Sequence, residues 1–328
     1  MILFCYGTRP EYIKIKKLIE LYDEPYKVLF VSQHENLVLG EYDYKIKINN
    51  LLNNRLDDII SSIFTNFNPE YLNGITHMLV QGDTATAFSL SLLGFHNNIK
   101  IIHLEAGLRT YNKHNPYPEE TYRQLISRIS DINFCPTENN LMNLLNEKTE
   151  SQNFVVGNTV LDNLNKEGIE DTNTVIITLH RRENHPIIHE WFNEINKLAI
   201  ENPSIEFILP IHPNPNVIRH KNILTHVNVI NPIDHDDFII KLKKCKIIIS
   251  DSGGIQEEAS FLNKKVIVCR QTTERPESLD KTSYLCKEPN HLKQMFYDVL
   301  KKYGSDYECP FGDGKSSEKI INLLKKIL

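Results

Sequence analysis

The sequence predicts an α/β protein of two doubly wound, parallel-sheet domains facing a cleft. Three observations carry this prediction. Short apolar runs alternate with helix-length amphipathic segments from one end of the chain to the other. The 328 residues are 41% hydrophobic, enough apolar material for two cores. The rhythm pauses once, in the polar stretch NLNKEGIEDTN (163–173), and then restarts. The break separates residues 1–164 from residues 165–328.

In the first half the expected strands are ILFCY (2–6), YKVLFV (26–31), HMLVQ (77–81), KIIHL (100–104), DINFC (131–135) and NFVVG (153–157). In the second they are TVIITL (174–179), EFILPI (206–211), VNVI (227–230), KIIIS (246–250) and KVIVC (265–269). Helical patterns such as FNEINKLAIEN and DDFIIKLKKC lie between many of them. Strands separated by helices argue for parallel sheets covered on both faces.

A formal charge of −5 without a dense Lys/Arg block leaves no electrostatic footprint for nucleic acid or an anionic membrane. The start, MILFCYGTRPE, has no basic leader and reaches Arg9 too soon for a signal peptide. No apolar run approaches the roughly 20 residues that span a bilayer. The expectation is a cytoplasmic protein. The six cysteines form no C-x-x-C pair and no ligand-like cluster with histidine, as expected of reduced structural thiols. No G-x-G-x-x-G follows a strand, which weighs against a nicotinamide cofactor.

Ligands of open α/β sheets collect at the carboxyl ends of strands. Here GTRPE, QGDTAT, EAGLRT, HRREN, HPNPN and DSGGIQEE each follow an apolar run. In the last of these, Ser252 stands at an N-cap position. Gly253 and Gly254 would let a phosphate approach backbone N–H groups at the positive end of a helix. Glu257 and Glu258 fall on different sides of that helix, so one could reach sugar hydroxyls while the other faces away. An ordinary capped helix with acids favouring its dipole would give the same pattern. Arg9 beside a positive helix end is unfavourable unless an anion joins it. His180, His212, Arg181, Arg182 and Arg275 make the second half the cationic one. The first half supplies acids instead: Asp83, Glu105, Glu119 and Glu120. Asp83 could equally cap the following helix, and Glu105 could pair with Arg109. Together, acids on one domain and cations on the other describe a site for a sugar and its nucleotide diphosphate.

These segments, in this order, resemble the non-hydrolysing UDP-N-acetylglucosamine 2-epimerases. The resemblance runs through GTRPEYIK, SQHE, QGDTATA, HLEAGLRT, PYPEETYR, PTE, GNTVLD, HRREN, HPNPNV, DSGGIQEEAS, TTERPE and GDGKSS, which span most of the chain. It implies two Rossmann-like domains of the glycosyltransferase-B type, a C-terminal helix that crosses back to the first domain, a homodimer and no cofactor. It also implies a UDP-sugar substrate bound by Arg9, Lys14, Arg123, His212, Ser252, Gly253, Gly254, Glu258 and Arg275. Asp83, Glu105, Glu119 and His180 fall in motifs that carry catalysis. The implied chemistry is C2 inversion without redox. A carboxylate takes the C2 proton as UDP leaves C1, 2-acetamidoglucal forms, and UDP adds back with the proton delivered to the opposite face.

The resemblance further implies a second, activating sugar-nucleotide site that includes Gln33, His34 and Arg181. Three features depart from the family pattern. Tyr122 precedes Arg123 where Asn is common, the inter-domain segment is short, and a Gly-Gln segment is missing from NNLLNNRLDDIISSIF (49–64). The alternatives are an epimerase acting on a 2-acetamido-2,6-dideoxy UDP-hexose and a glycosyltransferase of the same fold.

Overall fold

The structure, a computed structural model, describes residues 1–32, 40–49, 54–302 and 307–328. Gln33 and His34, expected in an activator site, lie outside the described residues. The chain forms two compact units, Met1–Asn163 with Gly312–Leu328, and Leu164–Phe311.

Among the described residues the N-terminal unit holds a seven-stranded parallel sheet: β1 (Ile2–Tyr6), β2 (Tyr26–Ser32), β3 (Tyr44–Lys47), β4 (His77–Gln81), β5 (Lys100–Leu104), β6 (Ile132–Cys135) and β7 (Gln152–Val155). Their spatial order is β3-β2-β1-β4-β5-β6-β7, so the direction of winding reverses between β1 and β4. The loops after those two strands therefore diverge and open a crevice at the sheet edge. Helices α1 (Arg9–Leu21), α2 (Arg55–Asn66), α3 (Ala85–His96), α4 (Glu119–Ile129) and α5 (Glu138–Asn146) cover the faces, with the C-terminal helix Ser316–Ile327. The side chains of β1 divide by parity. Ile2, Phe4 and Tyr6 join Ile15 and Leu18 of α1 and Ile320 and Leu324 of the C-terminal helix. Leu3 and Cys5 join Ile59 and Ile63 of α2 and Leu90 and Leu93 of α3. An apolar strand without alternation is thus used on both faces. The C-terminal helix is tied in by Asp162, which accepts from the backbone N–H groups of Ser316 at 2.9 Å and Ser317 at 2.5 Å.

The C-terminal unit repeats the plan with six parallel strands among its described residues: β8 (Thr174–Thr178), β9 (Glu206–Pro210), β10 (Asn228–Ile230), β11 (Ile247–Ser250), β12 (Lys265–Cys269) and β13 (Ser283–Cys286). The order β10-β9-β8-β11-β12-β13 puts its winding reversal between β8 and β11. Its helices are α6 (Ile188–Glu201), α7 (Pro215–Ile218), α8 (His235–Lys244), α9 (Gly253–Phe261) and α10 (Leu292–Lys301). Trp191, Phe192, Phe207 and Phe296 fill the core between sheet and helices. Two strands escape the sequence reading, YKIK of β3 and SYLC of β13. Both are four-residue edge strands without a long apolar run. Among the described residues no helix is long and apolar enough to cross a membrane.

Candidate functional site

In the N-terminal unit the crevice is built from the ends of β1, β4 and β5. After β1, Thr8 is the N-cap of α1, and Arg9 and Pro10 are the first helical residues, with Arg9 exposed. Glu11 closes a capping box. Its Oε2 accepts from the N–H groups of Gly7 at 2.9 Å and Thr8 at 2.6 Å, while Oε1 accepts the Thr84 hydroxyl at 2.6 Å. The first-turn dipole beside Arg9 is thus met by a buried acid of the same helix, and burial pushes the Glu11 carboxyl above its ordinary range. Thr84 in turn caps α3, accepting from Ala87 N–H at 3.0 Å. Asp83 is therefore not the cap. Its carboxylate receives the Arg123 guanidinium, through Nε at 2.9 Å and through Nη2.

Glu105 directly follows β5 with φ of 65°, a left-handed conformation that is costly for a residue with a side chain. Three donors converge on its carboxylate: Lys14 Nζ at 2.5 Å, Gln81 Nε2, and Asn158 Nδ2 at 3.1 Å. Arg109 pairs with Glu147 at 2.7 Å and leaves Glu105 to Lys14. A Cβ on Gly82 would lie 3.6 Å from Glu105 Oε2, so the turn bearing Asp83 runs beside the Glu105 carboxylate. His103, fully buried on β5, fixes that turn from beneath, its Nε2 meeting the Gly82 carbonyl at 2.8 Å.

The acids of PYPEE separate in role. Glu120 is buried and accepts from the N–H groups of Thr110 and Tyr111, each at 3.0 Å, and from Arg123 at 3.3 Å. Glu119 opens α4 and is half-buried. Asp83, Glu105, Glu120, Lys14 and Arg123 are thus brought together with Gln81, His103, Asn158 and Glu11, which the sequence reading passes over. Polar residues ending apolar runs, such as Gln81 in HMLVQ and His103 in KIIHL, are the signal that could have found them.

In the C-terminal unit the corresponding ends are those of β8, β9 and β11. Asp251 is fully buried and accepts from the N–H groups of His180 at 3.0 Å and Arg181 at 2.9 Å, and from Asn184 Nδ2 at 3.0 Å. The His180 ring stacks on His212 at 5.0 Å and 13°. Burial pushes both imidazoles below their ordinary range, and the nearby Asp251 charge opposes this in each. A cavity of about 370 Å³ belongs to the N-terminal unit, whereas the one beside these histidines is smaller, about 220 Å³, and is walled by Pro210, Ile211, Pro213, Ile233, Phe238 and Ile255.

At the start of α9, Ser252 occupies the N-cap without a side-chain capping bond. A Cβ on Gly253 would fall 2.5 Å from Arg275 Nη1 and 2.9 Å from Glu274 Oε1, whereas one on Gly254 would meet nothing within 4 Å. Gly253 is therefore glycine to admit Arg275 from beneath, and Gly254 leaves the backbone open from outside. Arg275 is buried, bonded to Glu257 at 2.6 Å and Glu274 at 2.5 Å. Glu274 also holds Arg270 at 2.9 Å, and Arg270 reaches Glu183 at 2.8 Å. Glu258 faces the other way, its Oε1 2.9 Å from His235 Nε2. No group of three or more His, Cys, Asp or Glu side chains among the described residues is arranged to hold a metal ion.

A family model described as UDP-N-acetylglucosamine 2-epimerase matches residues 30–325. A curated relative of that name from Campylobacter jejuni is 36% identical, over 99% of this chain and 97% of its own. Another, from Salmonella borreze, is 35% identical over 98% and 97%. The crystal structure of the Neisseria meningitidis UDP-GlcNAc 2-epimerase, solved with UDP-GlcNAc bound, superposes with a TM-score of 0.89 at 34% identity, covering 99% of both chains. The likeness bears out the expected class of two parallel-sheet α/β domains of the glycosyltransferase-B type.

Proposed function

Because the chain belongs to the UDP-N-acetylglucosamine 2-epimerase family, we propose that it interconverts UDP-N-acetylglucosamine and UDP-N-acetylmannosamine by elimination and re-addition of UDP. In the forward direction a carboxylate removes the C2 proton and the C1–O bond to UDP breaks, leaving 2-acetamidoglucal. UDP oxygen then re-forms the bond to C1 while a second group protonates C2 from the opposite face. Two faces need two acid/base groups, and Asp83, Glu105 and Glu119 of the N-terminal unit fill those roles. The observation that carries this reading is the placing of Asp83 and Glu105 on adjacent strand ends, each held by its own cation, Arg123 and Lys14. Carboxylates fixed this way keep their aim while a proton is transferred.

The nucleotide falls to the C-terminal unit. The cavity beside His180 and His212 takes the flat base, the open N–H groups at Gly253 and Gly254 take the diphosphate, and Glu258 takes the ribose hydroxyls. His180 and Arg181 stabilise charge growing on the departing diphosphate. Arg275 supports this site from below through Gly253. The chain acts as a homodimer in this reading, for which the exposed side chains Phe64, Phe95 and Leu125 on α2, α3 and α4 supply apolar surface. Five buried, unbridged cysteines fit a reducing cytoplasm.

The test is incubation with UDP-N-acetylglucosamine in D2O, followed by NMR. Two UDP sugars carrying deuterium at C2 are expected. Free N-acetylmannosamine, or no exchange in the absence of an acceptor, would overturn the epimerase reading.

A further inference from the structure

We propose that His235 is a positioning residue for nucleotide recognition: it fixes the Glu258 carboxylate so that the ribose diol meets an already oriented acceptor. The proposal rests on the reading of Glu258 as the ribose contact. His235 is the first residue of α8, a position where the helix has no need of an imidazole. Asp234 already caps it, accepting from Asp237 N–H at 3.0 Å. The ring is instead spent on α9, with Nε2 2.9 Å from Glu258 Oε1. A carboxylate oxygen accepts, so Nε2 carries the proton.

Both ends of the contact belong to elements that also wall the cavity. The loop leading to His235 supplies Pro232 and Ile233, and α9 supplies Ile255, three residues before Glu258. The bond thus ties the wall of the base cavity to the group that would read the sugar. The Glu258 side chain is 7% exposed and that of His235 22%, so water competes little for the bond. A glutamate side chain carries three rotatable bonds. Held by one oxygen, it loses less freedom when a diol with two O–H donors arrives at the other. Without His235 the carboxylate would have to be ordered by the ligand itself.

Calorimetry with UDP and 2′,3′-dideoxy-UDP, which lacks both hydroxyls, separates this role from a structural one. Wild type should bind UDP more tightly than the dideoxy analogue. His235→Phe, which keeps a ring and removes the donor, should weaken UDP about tenfold and leave the analogue unchanged. His235→Ala repeats the test should the phenylalanine variant fail to fold. His235→Gln, whose amide nitrogen reaches the place of Nε2, should recover most of the preference. Equal weakening of both nucleotides, or a preference unchanged in the variants, would overturn the proposal. A wild type that binds both nucleotides alike would instead remove Glu258 from ribose binding, and the role of His235 with it.

Discussion

Acid should loosen the N-terminal unit through His103. Burial drives this imidazole from its ordinary 6.5 down to about 4, with Arg109 pushing the same way and the Gly82 carbonyl, Asp83 and Glu105 opposing. Its Nδ1 meets no partner among the described residues, so a second proton there would sit buried and unpaired. The folded pKa lies below the unfolded one. Between pH 6.5 and 4 the unfolded chain therefore binds a proton that the folded chain refuses, and stability falls as pH falls through that window. A gap of 2.5 units between 6.5 and about 4 corresponds to about 3 kcal/mol in full, of which about 2.5 kcal/mol is lost by pH 4.5.

His103→Gln isolates the effect. It removes the titration but keeps an amide nitrogen where Nε2 donates to Gly82, and every other carboxyl and imidazole titrates in both proteins. Urea unfolding followed by far-UV circular dichroism at pH 7.5 and 4.5 should show wild type losing about 2 to 3 kcal/mol more than the variant. Because His103 holds the turn that presents Asp83, turnover should also fall more steeply in wild type as the pH drops through about 4. Parallel losses in the two proteins would refute the reasoning, since His103 would then be reached by solvent or already protonated in the fold.

Two further predictions follow from the geometry and one from the sequence. Asp83→Asn, Glu105→Gln and Glu119→Gln should each lower kcat by roughly 10²- to 10⁴-fold with UDP binding largely intact, measured by coupled turnover and calorimetry; little change in turnover would remove that acid from the mechanism. Gly253→Ala forces a Cβ to 2.5 Å from Arg275 Nη1 and should cost about 3 kcal/mol by parting a buried ion pair, whereas Gly254→Ala should leave thermal unfolding unchanged and weaken UDP alone. Without the Gly-Gln segment an activating sugar nucleotide lacks two or three hydrogen bonds, a loss of roughly tenfold to a thousandfold in affinity. Kinetics should then be hyperbolic, and conversion of UDP-N-acetylmannosamine should start without a lag; a lag abolished by a trace of UDP-N-acetylglucosamine would refute this.

Most strands that the sequence reveals are unbroken apolar runs such as KIIHL or KIIIS, which have few other uses, and the edge strands β7 and β10 are revealed by the short runs in NFVVG and VNVI. YKIK and SYLC leave little signal because neither is an apolar run: YKIK alternates with lysine, and SYLC, though mostly buried, is half polar. The site follows the same division. Motifs after strands single out Asp83, Glu105, His180 and Ser252 as candidates, since position along a strand is a local property. Partnership is not local. Lys14 and Glu105 stand 91 residues apart, and nothing in either segment says that Lys14, not Arg109, takes the carboxylate.

Arg275 shows what such partnership does to function. As a letter in TTERPE it is a cation available to a diphosphate. In the fold its charge is shared between Glu257 and Glu274, and Glu274 is shared again with Arg270, which also reaches Glu183. Among the described residues these three carboxylates balance the two guanidiniums beneath α9. The proposed diphosphate contact at α9 then falls to the N–H groups of Gly253 and Gly254 and the helix dipole behind them, because the Ser252 N–H already donates to Ser250 Oγ at 3.0 Å. Those donors are fixed before any ligand arrives and carry no full charge that would hold UDP too tightly. The proposed elimination and re-addition of UDP in one turnover would need a grip of that kind, rigid in direction and moderate in strength. The buried network serves that need by setting the backbone of α9, with Arg275 lying where a Gly253 side chain would otherwise be.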